Sequence, residues 1–84
     1  MDTAWVWRDF TDSSNAYIKN PNGGYQVMTV HAPNAYSDVW TAQAEYLDDE
    51  FRQTKFSGLL NGGSDRDQAK SAAVVALHRL MRGQ

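Results

Sequence analysis

The chain contains no cysteine, which excludes a disulfide framework and leaves packing or association to stabilise it. Long apolar runs are also missing. Nothing approaches the roughly 20 residues that cross a bilayer, and no basic start leading into an apolar stretch marks a secretion signal. Leucine and isoleucine are scarce. No nucleophile elbow, phosphate loop or clustered metal ligands stand out. These absences predict a soluble cytoplasmic protein that is not an enzyme and needs no cofactor. With 84 residues the chain forms one domain, 1–84, and a domain this small buries only about 60% of the surface its unfolded form exposes.

Bulk comes instead from ten aromatic residues, three Trp, four Tyr and three Phe, which fill cores and also dominate interface hot spots. Ten acidic residues against eight basic give a net charge of −2, which disfavours indiscriminate attachment to nucleic acid or an anionic membrane. The charge is segregated. Glu45, Asp48, Asp49 and Glu50 crowd the middle, whereas Arg66, Lys70, Arg79 and Arg82 gather toward the C-terminus.

Ala4 to Phe10 is rich in strand formers and predicts a strand with Trp5 and Trp7 on one face. Thr11 to Asn15 predicts a loop, because its Ser, Thr, Asp and Asn side chains bond their own backbone. Ala16 to Asn20 and Tyr25 to Ala32 flank Pro21-Asn22-Gly23-Gly24, a hairpin signal, and Pro33 ends the second strand. Tyr36 to Phe51 fits two periods. Trp40, Ala42, Ala44 and Tyr46 alternate as a half-buried strand turning at Asp48-Asp49 into Phe51 to Leu60; Trp40, Ala44, Leu47 and Phe51 also match a helix with Ser37 as N-cap. The acidic triplet favours the hairpin, and in both readings Asp48, Asp49 and Glu50 are exposed. Ser64 to Met81 is an amphipathic helix with overlapping capping boxes, an Ala69, Ala72, Ala73, Ala76, Leu77, Leu80 stripe, one exposed valine at Val75, and Gly83 as its stop. The fold class is therefore α+β: an antiparallel sheet of three or four strands, packed on one face by the C-terminal helix.

Each candidate for chemistry has a plainer counterpart. His31 and His78 lack the clustered partners of a metal site and read as structural or exposed. The four central carboxylates miss the ligand spacing of an EF-hand; they read as a solvated turn or as an acidic patch imitating nucleic-acid phosphates for a basic partner. Asn61-Gly62-Gly63-Ser64 resembles an anion cradle at a helix start, yet Asp65 and Asp67 compete there, so a turn and cap is the simpler reading. Trp5 and Trp7 suit burial, a stacking platform for single-stranded nucleic acid, or the anchoring of a protein partner.

The run GGSDRDQAKSAAVVALHRL, following predicted strands, resembles the tail of the double-stranded RNA-binding domain. That resemblance implies phosphate contacts at Arg66 and Lys70. The chain departs from the family at Asp65 and Asp67, and in having AWVWRDF where a first helix belongs. In size, acidity, lack of cysteine and sheet-plus-helix plan it is similar to small phage-encoded inhibitors, among them many anti-CRISPR proteins. That likeness implies a non-enzymatic inhibitor or adaptor with a protein partner, such as a basic nucleic-acid-binding host protein, and no membrane. Glu45, Asp48, Asp49 and Glu50 would supply charge, and Trp5, Trp7 and Tyr36 anchoring area. On this reading, serine at Asp48, Asp49 and Glu50 slows association and leaves the melting temperature unchanged.

Overall fold

The computed structural model describes residues 5–83. Six strands, β1 (Arg8–Asp9), β2 (Ser13–Lys19), β3 (Tyr25–His31), β4 (Trp40–Leu47), β5 (Gln53–Phe56) and β6 (Leu60–Gly63), precede one helix, α1 (Arg66–Met81). The strands form an antiparallel meander in the order β1-β2-β3-β4-β5, with β6 also paired to β4. β4 serves β6 along Trp40–Ala42 and β5 along Glu45–Leu47. Between them Ser57 closes the ladder, donating from its N–H to the Ala44 carbonyl and accepting the Ala44 N–H at its hydroxyl.

Alternation sorts the side chains. Ala16, Met28, Val30, Ala42 and Ala44 point to one face and are buried against Ala69, Ala73, Ala76, Leu77 and Leu80 of α1. Six of these ten residues are alanine, which lets the helix lie close to the sheet. Asp65 caps α1 by accepting the Gln68 N–H, and the Gln68 side-chain oxygen Oε1 accepts the Ser64 N–H in turn. Met81 and Val75 are exposed.

The sheet-plus-helix plan stands, but the sheet has six strands where the sequence predicts three or four. Ser13–Asn15 is strand, not loop, because Ser14 is fully buried and its hydroxyl bonds both Asp9 and Arg66. β6 occupies a stretch whose glycines signal a turn. A Cβ at Gly62 would stand 2.9 Å from that of Ala69 and 3.0 Å from the Trp40 carbonyl, so glycine is what admits the helix there. The strand expected over Ala4 to Phe10 shrinks to Arg8–Asp9: Ala4 lies outside the described residues, while Trp5 and Trp7 leave the ladder and pack on the core. Tyr36 to Phe51 resolves as the hairpin, with β4 turning at Asp48, but the return strand expected over Phe51 to Leu60 is only Gln53–Phe56, because Phe51 belongs to the turn and β6 takes the chain back to β4 from Leu60.

Both hairpin turns lie at one end of the sheet. Gly24 there has φ +77, and a Cβ would meet the Leu47 carbonyl oxygen at 2.4 Å. Gly24→Ala is expected to cost roughly 2 kcal/mol in urea unfolding, from left-handed strain and displaced backbone.

Candidate functional site

The face of the sheet opposite α1 carries no covering element among the described residues. Its side chains form rows across the strands, set by the pairing: His31 beside Thr41; Asn15, Thr29 and Gln43; Tyr17, Val27, Glu45 and Phe56; then Lys19, Tyr25, Leu47 and Gln53. The first two rows are polar. The last two mix Tyr17, Tyr25, Phe56, Val27 and Leu47 with Glu45, Lys19 and Gln53, and they lead to the end where the two turns meet.

Phe51 completes that end. Asp48 to Phe51 forms a turn in which the Phe51 N–H donates to the Asp48 carbonyl and the Asp48 N–H to the Arg52 carbonyl. Phe51 has φ +63, the one non-glycine residue with positive φ among those described. Glycine or asparagine is the ordinary occupant of such a position, and a bulky residue there is strained by about 1 kcal/mol. The strained backbone sends the ring over the sheet. It stacks on Tyr25 with centroids 5.0 Å apart, Tyr25 meets Tyr17 edge to face at 6.4 Å, and Phe51 remains 65% exposed. With Val27 and Leu47 these rings line a shallow cavity of about 280 Å³.

The acidic residues, three of them in the turn that carries Phe51 and Glu45 on the sheet, have unequal roles. Asp48 is a builder of the turn: one oxygen accepts the Glu50 and Arg52 N–H groups, and the other accepts Arg52 Nε at 2.9 Å. Its carboxyl is held below the usual carboxylate range, chiefly by the Arg52 N–H. The Asp48 side chain is only 29% exposed, which corrects the expectation of a solvated acid. Glu50 shares Arg52 at 3.2 Å. Asp49 reaches across to the other turn, where Oδ1 accepts the Gly24 N–H at 2.8 Å. No cation pairs with it among the described residues. Glu45 lies on the open face and accepts from Gln43 and Gln53. Three carboxylates against one guanidinium leave the turn anionic, while Arg8 and Lys19 stand on the opposite flank.

The other expected site residues lie elsewhere. Trp5 and Trp7 pack against the core on the helix side, so the area they offer is largely used. Tyr36 is 98% exposed on the loop before β4, where its N–H donates to Asn34 Oδ1; it is remote in sequence from both turns and touches neither aromatic row. Arg66 and Lys70 form an internal clamp. Arg66 donates to the carbonyls of Phe10, Thr11 and Ser13 and to the Ser14 hydroxyl, and its guanidinium lies 5.2 Å from the Trp40 ring centre. Lys70 pairs with Asp9 at 2.9 Å and lies over Trp7. Their side chains are 28% and 18% exposed. His31 and His78 are exposed, and no group of potential metal ligands forms among the described residues.

The clamp has a measurable signature. Lys70, and next Ser14, hold the Asp9 carboxyl below its ordinary value of 3.8. A depressed folded-state value means stability that is present above the unfolded value and lost as pH falls through the folded one. Unfolding free energy is therefore expected to drop as pH falls below about 4, with Asp48 adding to the same limb. Asp9→Asn should flatten that limb in urea titrations from pH 7 to pH 2.

The sequence reasoning passed over Tyr17, Tyr25 and Phe51. Tyr25 and Val27 alternate with Met28 and Val30, so β3 has apolar groups on both faces, and that double-sided pattern was the available signal. Comparison with family models, curated proteins and solved structures gives no match. No helix among the described residues is long and apolar enough to cross a membrane.

Proposed function

We propose that this protein is a small non-enzymatic binding domain, an inhibitor or adaptor, which docks a protein partner on its open sheet face at Tyr17, Tyr25 and Phe51. The observation that carries the proposal is Phe51. A bulky aromatic holds a backbone position suited to glycine, on a fold whose core it does not fill, and most of its ring faces solvent. Strain kept at an exposed side chain is the pattern of a functional residue, and rigid aromatics in an uncovered patch are the common anchors of protein interfaces.

The anionic turn beside the rings favours a basic protein over nucleic acid, because phosphate would meet Asp49 and Glu50. The RNA-binding reading draws less support, since Arg66 and Lys70 are engaged within the fold. The phage-inhibitor likeness is compatible with a basic host protein as partner.

Asp48 builds its own turn, so the triple serine replacement would unsettle the fold and confuse the charge test. Asp49→Asn with Glu50→Gln is the cleaner variant. It is expected to slow association with the partner about threefold to tenfold at low salt and much less at 0.5 M salt, with little change in melting temperature. Photo-crosslinking tests the face itself: a benzophenone amino acid at position 17 or 56 should capture the partner, insensitive to nuclease, and one at position 75 should not. Capture from position 75 alone would overturn the proposal.

A further inference from the structure

We infer that the Tyr25–Phe51 stack is the seat of an arginine side chain of the partner. This rests on the open sheet face being the docking surface. Four rings of this fold already carry a cation: Arg8 over Tyr17 at 5.0 Å, Lys55 over Tyr46 at 5.4 Å, Arg66 over Trp40 at 5.2 Å and Lys70 over Trp7 at 5.3 Å. The Tyr25–Phe51 stack carries none among the described residues, although it lies beside the most acidic part of the chain. One face of Phe51 is taken by Tyr25; the remainder of its exposed ring is open.

Charge and shape select the occupant. Asp48, Asp49 and Glu50 immediately precede Phe51, Arg52 after it is committed to Asp48 and Glu50, and Asp49 accepts the Gly24 N–H with no cation paired to it among the described residues. Lys19 and Arg8 are the cations on this face: Lys19 pairs with Tyr25 across the strands yet stacks on neither ring, and Arg8, one strand further out, is held by Tyr17. A planar group with delocalised positive charge fits between an aromatic plane and a carboxylate. Guanidinium does so at little dehydration cost, whereas an ammonium is compact and strongly hydrated. The side chain's three methylenes would lie along Val27 and Leu47 in the cavity.

The test uses three blocked tripeptides, valine-X-valine, in which X is arginine, lysine or citrulline, titrated into the ¹⁵N-labelled protein. The arginine peptide should give saturable amide shifts confined to residues 17–19, 23–27 and 47–52, the segments that line and border the cavity. Lysine should bind at least threefold more weakly and citrulline, which keeps the shape without the charge, not measurably. Phe51→Gly should abolish the arginine shifts, and Asp49→Asn should reduce them several-fold. Equal binding of citrulline, shifts outside these segments, or shifts that follow protein concentration without peptide, as a second copy on this face would produce, each overturn the inference. If crosslinking from positions 17 and 56 still captures a protein while the arginine peptide fails, the docking face stands and only its occupant is wrong.

Discussion

Phe51→Gly is expected to weaken partner binding by about 30-fold or more while leaving folding stability within about 1 kcal/mol of the parent. The two halves of that outcome have different causes. Glycine relieves the left-handed strain at φ +63, a gain of about 1 kcal/mol. It also loses the stacking contact with Tyr25, a loss of similar size. The terms oppose each other, so urea unfolding should register little. Binding has no such compensation, because the ring is the exposed anchor of the patch. Titration calorimetry with the captured partner, beside urea unfolding, separates the two. A variant that is clearly destabilised yet binds normally would assign Phe51 a purely structural role.

Arg66→Ala is expected to lower folding stability by about 3 kcal/mol. Arg66 ties α1 to the β1–β2 segment through three backbone carbonyls and the buried Ser14 hydroxyl, while it lies over Trp40. Removing it leaves several carbonyls and Ser14 without their donor, with Lys70 the remaining clamp between α1 and that segment, through Asp9 and Trp7. Lysine should not rescue the loss, since a single ammonium cannot match the two-nitrogen fork. Because the clamp and the aromatic face lie on opposite sides of the sheet, the arginine-peptide shifts should survive wherever the variant remains folded. Unchanged unfolding in Arg66→Ala would show that the clamp is incidental.

These two residues also mark how far the chain can be read unaided. Local chemistry was legible: the Pro21-Asn22-Gly23-Gly24 reversal, the alternation from Trp40 to Tyr46, and the capped alanine stripe of α1 each follow from a few neighbouring residues. What depended on distant contact was not. Ser14 looks like loop until Arg66, 52 positions away, gives its buried hydroxyl a partner. Asn61 to Gly63 looks like a flexible turn until Gly62 has to fit between the Trp40 carbonyl and Ala69 of the helix. The tryptophans at 5 and 7 read as a strand and an anchor, yet the helix side of the core claims them. The acidic cluster was visible as charge, but its division into a turn builder, a shared ion pair and a lone carboxylate required the fold. Phe51 was hardest, because a positive φ at phenylalanine has no signature in sequence.

The central claim is that the partner covers the sheet face opposite α1. Hydrogen–deuterium exchange of the protein alone and in complex with its captured partner tests it most directly. Protection should appear across the two turns and the neighbouring parts of β2, β3 and β4, with the exposed side of α1 around Ser71, Val75 and Arg79 unchanged. Protection centred on that helix surface, with the two turns exchanging as they do in the free protein, would contradict it.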